Sequence, residues 1–398
     1  MAKLLIEDKA EATRVPFLRG ILTRSLQQSG LSFQQAYHLA ADVRLDLEDK
    51  HVVSKLELHR LVYRKLKKEY GEQVADRYLR PYEFRPPVQV RDREGRLTPF
   101  SSELHRRDLE TIGLTLGESL KVATKLRRRL FRDGASEVST QYIGRLTYEL
   151  LGEMRSLGPA VAHRWLLWRD FVHSGRPLVL VIGGTTGCGK STVATAVAHR
   201  LDIVRMQSTD LLREVMRSLL ASEDYPELHH HSYDAWRALA EGDDDRVRVP
   251  EDGTIEKAFR AQVELVSPAS RAVIERALRE RVSLIIEGVH AHPQLAANLD
   301  AGDALIVHIM LAVLKKRKLK QRITGRATKA VQRRAQEYLD HFDEIWSLQS
   351  YLLAQADRTN TPIIVNENRD EVVREIMRTL LEEMAKSSNP TPARVFAE

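Results

Sequence analysis

Leu178, Val179, Leu180, Val181 and Ile182 run without a polar residue into Gly183, and Gly184-Thr185-Thr186-Gly187-Cys188-Gly189-Lys190-Ser191-Thr192 follows at once. Five consecutive apolar residues predict a short strand buried on both faces, as in a parallel sheet. A helical stretch to Leu201 follows the loop. Strand, glycine-rich loop and helix are the context in which Gly-x-x-x-x-Gly-Lys-Ser cradles phosphates. The glycines let successive backbone N–H groups turn inward, and the helix N-terminus adds partial positive charge. Residues 184–192 are therefore expected to bind ATP. Lys190 is expected to reach the β and γ phosphates, and the Ser191 hydroxyl to ligate Mg2+. Cys188, at a variable loop position, reads as a small residue without redox role.

Further strands are expected downstream at Ile203–Gln207, Ser283–Ile286, Leu305–Leu311 and Pro362–Val365, alternating with helices such as Ile255–Arg279. That alternation predicts a doubly wound parallel α/β sheet, whose ligands sit at the strands' C-terminal ends. Asp210 stands at such an end. It can orient or deprotonate an acceptor hydroxyl, or cap the helix Leu211–Leu220; the roles are compatible. Arg213 and Arg217 share one face of that helix and suit an anionic acceptor, or simply water. Glu287 ends another strand, where it can hold Mg2+ through water, touch the acceptor, or be a buried carboxylate satisfied by backbone. His290 and His292 belong to the site or only to the loop. The run from Lys315 to Arg326 is strongly basic. It fits a lid whose Arg322 and Arg326 close over phosphates. A nucleic-acid patch fits less well, because aromatic residues are not interleaved. Three consecutive histidines, His229–His231, cannot easily converge on one zinc ion. The acidic, turn-rich stretch Glu241–Asp252 reads as a surface loop.

The chain has 398 residues, 43% of them hydrophobic and 29% charged, so it can bury a core in two or three domains. Its single cysteine rules out an intramolecular disulfide and points to a reducing compartment. The N-terminus lacks a signal peptide's long apolar stretch, and the longest apolar runs fall far short of the ~20 residues that span a bilayer. A soluble cytoplasmic protein is expected. Charge is uneven: residues 1–176 hold 32 Lys/Arg against 23 Asp/Glu, and the remainder 30 against 32. The basic half suits an anionic partner, or is a solvated helical surface.

That half contains a degenerate tandem repeat. Pro16–Phe17 recurs at Pro99–Phe100, Leu26 at Leu109, Gly30 at Gly113, Ser54 at Ser139 and Tyr78 at Trp165, with offsets drifting from 83 to 87. Two copies of one folding unit are implied. Both read as helical. Ser32 caps a helix over 33–47, Ser54 with Glu57 opens one over 55–70, Thr115 with Glu118 opens one to Phe131, and Ser139 precedes one over 141–157. Joints are expected at Arg85–Pro87 and His173–Pro177.

The first copy, through Val15-Pro16-Phe17-Leu18-Arg19-Gly20 and Ala75-Asp76-Arg77-Tyr78, resembles the ATP-cone, a small nucleotide-binding regulatory module. The resemblance implies a regulatory nucleotide at Arg14, Arg19 and Gly20. The second copy has Ser101-Ser102-Glu103 there and reads as a structural copy. The segments Ile182–Thr192, Ser208–Arg217 and Ile285–His290 together resemble the 2-phosphoglycerate kinase family, with support from Ser232-Tyr233, Arg260-Ala261-Gln262 and Tyr338–Leu352. That family also carries an ATP-cone, so the resemblance covers nearly the whole chain. The doubled cone departs from it, and so does Trp346, where a basic residue is expected. The resemblance implies transfer of phosphate from ATP to the 3-hydroxyl of 2-phosphoglycerate, with Asp210, Arg213, Arg217, Arg260, Glu287 and His290 near the acceptor. A kinase for another acceptor, such as a sugar acid or nucleotide, stays open, as does a nucleotide-sensing regulator that binds nucleic acid. The expected organisation is an all-α tandem repeat at 1–88 and 89–174, a P-loop kinase domain at 175–385 and a disordered tail at 386–398.

Overall fold

The computed structural model describes residues 4–8, 13–79, 88–132, 136–239, 253–297, 299–327 and 332–397. The Arg85–Pro87 joint and the Glu241–Asp252 stretch lie outside them. The chain forms two compact units, Met1–Val88 and Gln89–Glu398.

In the first unit the order is β1 (Leu5–Asp8), β2 (Thr13–Pro16), α1 (Arg19–Gln28), α2 (Phe33–Asp46), β3 (Val52–Ser54), α3 (Lys55–Tyr70) and α4 (Glu72–Leu79). Local sequence explains the helix starts. Ser32 and Gln35 form a capping box at α2, and the Ser54 side chain accepts from the Glu57 N–H at α3. Leu26, Leu39, Val43, Val62 and Leu66 close the core. The second unit opens with the same series: β4 (Gln89–Arg91), β5 (Leu97–Pro99), α5 (Ser102–Thr111), α6 (Leu116–Arg132), β6 (Glu137–Ser139), α7 (Thr140–Glu153) and α8 (Pro159–Ser174). In each copy an antiparallel hairpin takes a third strand in parallel, giving the orders β2-β1-β3 and β5-β4-β6. The expectation of an all-α repeat is thus corrected. The strands are three or four residues long, and a period of two cannot declare itself over so short a run.

The rest of the second unit contains β7 (Leu178–Gly183), α9 (Lys190–Leu201), β8 (Met206–Ser208), α10 (Thr209–Leu219), α11 (Thr254–Arg279), β9 (Leu284–Gly288), β10 (Leu305–Ala312), α12 (Lys316–Ala327), α13 (Gln332–Asp340), α14 (Phe342–Arg358), β11 (Ile363–Val365), α15 (Arg369–Ser387) and α16 (Pro392–Val395). Five strands form one parallel sheet in the order β11-β10-β7-β9-β8. Every residue of β7 is buried. Leu178, Leu180 and Ile182 enter the cluster that contains Val193, Val197, Ile376 and Leu380, whereas Val179 and Val181 pack with Ile274, Ala277 and Ile286. The sheet is therefore covered on both faces, as the unbroken apolar run requires. No helix among the described residues is long and apolar enough to cross a membrane.

Two expectations fail here. The boundary at residue 174/175 is not a break in the core: Leu109, Leu151, Trp165 and Phe171 of the second repeat share a cluster with Leu180 and Val197. Arg200 of α9 also donates to Glu110 of α5 at 3.1 Å. The second repeat is part of the scaffold of the α/β layer. Nor is the C-terminal segment a loose tail. Val395 and Phe396 are buried in the same cluster, and the Arg145 guanidinium donates to the Phe396 carbonyl at 3.0 Å. Polarity of the surrounding Ser, Asn, Pro and Thr residues hid this anchor. Because Phe396 is fully enclosed, Phe396→Ala should cost about 3–5 kcal/mol in urea denaturation of the full chain; an unchanged midpoint would mean that the segment packs nowhere.

Candidate active site

All five strands point the same way, so their C-terminal ends line one edge of the sheet. The register sets Ile182 beside Glu287 and Glu287 beside Ser208. The loops that leave β7, β8 and β9 start from this row. The connection leaving β7 leads to β8 on one side and that leaving its neighbour β10 leads to β11 on the other, and such a switch point opens a crevice for ligands.

The loop after β7 is the predicted phosphate cradle. Gly184, Gly187 and Gly189 all have positive φ. At Gly189 (φ 92°) a side chain is excluded twice, because an added Cβ would stand 2.7 Å from Asn366 Nδ2. Lys190 is 7% exposed and donates to the Thr185 carbonyl at 3.0 Å. A buried ammonium held by a backbone carbonyl can exchange it for phosphate oxygens. Thr185 is buried and its hydroxyl donates to the Ile345 carbonyl at 3.4 Å. Thr186 is half-buried, and Thr192 is exposed on α9. Cys188 is fully buried, and its carbonyl accepts from Asn366 Nδ2 (2.8 Å) and Arg322 Nη1 (3.3 Å). Arg322 Nη2 also donates to the Asn366 carbonyl at 2.7 Å. The middle of α12 is thereby tied to the cradle and to the end of β11, with the Arg322 charge beside the loop. The side chain of Arg326 lies outside the described residues. Lys316, at the start of α12, sits 5.5 Å over the Trp346 ring, so this face carries a cation despite the tryptophan.

Ser191 Oγ donates to Glu287 Oε1 at 2.9 Å. Glu287 is 7% exposed. A hydroxyl and a carboxylate this close are two hard oxygen donors of the kind a small divalent cation takes, with phosphate and water filling the other positions. Gly288, next along β9, lets the start of α10 pack closely against the strand: a Cβ there would lie 1.7 Å from Thr209 Oγ1.

Asp210 follows β8 as expected, but it does not cap the helix. Ser208 is the N-cap and accepts from the Asp210 N–H at 3.2 Å. The Asp210 carboxylate is left open to the crevice, 3.6 Å from His290 Nδ1. Enclosure raises the carboxyl, but His290, when it carries a hydrogen on Nδ1, and the charges of Lys190 and Arg213 outweigh this and hold it down at about 2. It is ionised throughout the physiological range. His290 is buried, and burial lowers its imidazole. Nε2 of His290 is 2.7 Å from Gln262 Oε1.

The arginines separate. Arg213 is buried; it donates to the carbonyls of Leu228 and His230, and to Glu214 at 2.7 Å. It braces the loop over 228–230 rather than reaching outward. Arg217 is exposed and pairs with Glu214 at 2.7 Å. Arg260 is exposed on α11, where its charge acts on the Tyr351 hydroxyl. His292 accepts from the Gln294 N–H at 3.3 Å, and burial lowers it to about 4, which suits a turn-holding role. In the first unit, Arg14 pairs with Glu7 at 2.8 Å, Arg19 lies 4.3 Å over the Tyr37 ring, and Gly20 has open space around it. Residue-by-residue reading missed Asn366 and Gln262 as site residues. Asn366 did carry a signal, a polar residue just past a buried strand; Gln262 lies within a helix and gave none of its own.

No family model matches the chain. The 2-phosphoglycerate kinase of Pyrococcus furiosus is 33% identical over 301 residues, 74% of this chain and 94% of that protein. That of Methanopyrus kandleri is 32% identical over 300 residues, 75% of this chain and 88% of that protein. Among solved structures, a gluconokinase from Sinorhizobium meliloti 1021 aligns with 53% of this chain and 93% of its own at 15% identity and a TM-score of 0.27.

The cradle's tight fit makes it testable. Gly189→Ala adds backbone strain of about 1–3 kcal/mol and a clash with Asn366. ATP binding should weaken by about tenfold or more in equilibrium titration. Unaltered affinity would show that nucleotide binds elsewhere.

Proposed function

Because the chain belongs to the 2-phosphoglycerate kinase family and is an ATP-dependent phosphotransferase, we propose that it transfers the γ-phosphate of ATP to the 3-hydroxyl of 2-phosphoglycerate, giving 2,3-bisphosphoglycerate. The observation that carries this reading is the meeting of Lys190, the Ser191–Glu287 pair and the ionised Asp210 carboxylate at one edge of the sheet.

In this reading the backbone of 184–192 holds the triphosphate and Lys190 neutralises charge on the β and γ phosphates. Ser191 and Glu287 hold Mg2+, which supplies further charge neutralisation when bound. Asp210 orients the acceptor hydroxyl and receives its proton. A bond forms between that oxygen and the γ-phosphorus as the bond to the β-bridging oxygen breaks, and ADP leaves. Arg322 flanks the transferring group, with Arg326 one helical turn further along α12. The acceptor carries a phosphate and a carboxylate beside the reacting carbon, so it needs cations outside the cradle. Arg217 and Arg260 are exposed and suited to move onto it. Arg213 acts through the loop it braces. A regulatory nucleotide is proposed at Arg19 and Gly20 of the first unit, where an exposed guanidinium stacks on Tyr37 at the start of α1.

Phosphorus NMR of the full-length protein with ATP, Mg2+ and a panel of hydroxy acids tests the acceptor. New resonances of 2,3-bisphosphoglycerate are expected with 2-phosphoglycerate and none with gluconate or glycerate; the opposite preference would sink the assignment. Lys190→Ala should lower turnover by about 100-fold or more. Asp210→Asn should lower kcat with little change in melting temperature, since Ser208 and not Asp210 caps the helix. Turnover close to wild type in either variant contradicts the role given to that residue.

A further inference from the structure

His290 is 1% exposed, and three helices close around it. Asp210 and Arg213 face it from α10, Lys190 from α9, and Gln262 and Phe259 from α11. The orientation of Gln262 is fixed by its surroundings. Its Nε2 donates to the Glu227 carbonyl at 2.6 Å and to the His230 carbonyl at 3.0 Å. Carbonyls only accept, so the amide nitrogen must face them and Oε1 must face His290. That oxygen also only accepts, so His290 Nε2 must carry the hydrogen. In the neutral ring Nδ1 then holds a lone pair. Nδ1 is buried, makes no hydrogen bond among the described residues, and points at the Asp210 carboxylate 3.6 Å away.

An acceptor that is itself buried and faces another acceptor is repelled until a proton lies between them. We infer that Asp210 and His290 act as one proton-receiving pair, in which Gln262 is the positioning residue that keeps His290 Nδ1 bare in the resting enzyme. The proton comes from the acceptor hydroxyl. As that oxygen bonds to the γ-phosphorus, its hydrogen passes to Asp210 and is held by Nδ1, leaving an imidazolium beside a carboxylate. Asp210, whose side chain is 62% exposed, returns the proton to water once product has left. Burial lowers the imidazole and the Arg213 and Lys190 charges add to this, against the raising effect of Asp210. An aspartate alone is a weak base at neutral pH; a neutral imidazole behind it lets the proton settle at a group better matched to the working range.

This inference rests on the reading of Asp210 as the residue facing the acceptor, and two measurements on the full-length protein separate the two ideas. The first is a long-range proton–nitrogen correlation spectrum of the resting protein, with His290 assigned through His290→Gln. It should show Nε2 protonated and Nδ1 bare. Hydrogen on Nδ1 would overturn the inference whatever the substrate. The second is the pH profile of kcat at saturating substrates. Wild-type turnover should fall as pH drops through the His290 titration, because the pair is then already loaded. His290→Gln, which offers hydrogen bonds but cannot take a proton, should lose about 10- to 100-fold at neutral pH and lack that acidic limb. Gln262→Glu places a carboxylate against Nε2–H and should move the limb to higher pH. An unchanged limb in His290→Gln overturns the inference alone. Wild-type turnover in Asp210→Asn instead removes the reading beneath it.

Discussion

Glu287 lies between Ile182 on one side and Ser208 on the other, and this register fixes where three functional loops begin. It is held by burial. Residues 178–183 and 284–288 are wholly enclosed, with alternate side chains delivered to opposite faces of the sheet. A slip of one residue would send each of those side chains to the wrong layer, at about 1.5–3 kcal/mol per buried aliphatic group. It would also part Glu287 from Ser191 and draw Thr209 away from Gly288. The chemistry at the sheet edge is thus secured by apolar packing beneath it.

How much of this was legible in the sequence depended on run length and locality. The strand–loop–helix turn after β7 was legible, because glycine, lysine and serine at fixed spacing serve a local geometry. Strands β7, β9 and β10 were legible as unbroken apolar runs. Strand β8 was not placed well: Ile203 precedes it and only Met206–Ser208 pair. The same misplacement hid Ser208 as the true cap, so Asp210 kept a capping role that the structure withdraws. Arg213 looked like an anion clamp from helix spacing alone. Its partners are carbonyls 15 and 17 residues away, and no local pattern encodes them. Gln262 is the clearest case of what sequence cannot show, since its meaning comes from three groups on two other segments.

The two repeats show how one folding unit takes two fates. Both keep the hairpin, the parallel third strand and the paired helices, and Leu26 and its counterpart Leu109 are each fully buried. The first copy closes its core by itself. The second opens its core to Val193, Val197 and Ile376, and fits Phe396 against Gly144, where an added Cβ would stand 2.6 Å from the ring. Removing the second copy would therefore uncover the scaffold of α9, the helix that begins at Lys190. Any influence on the loop from that side would act through rigid packing, whereas the first copy has a core of its own.

In the proposed reaction the acceptor hydroxyl, the γ-phosphate and Asp210 meet at the C-terminal edge of the parallel sheet. A crystal structure of the full chain with a non-hydrolysable ATP analogue, Mg2+ and 2-phosphoglycerate tests it most directly. The account predicts the γ-phosphate within the 184–191 cradle and the 3-hydroxyl within about 3 Å of the Asp210 carboxylate. An acceptor bound with that hydroxyl turned away from Asp210, or a triphosphate seated outside the cradle, would contradict it.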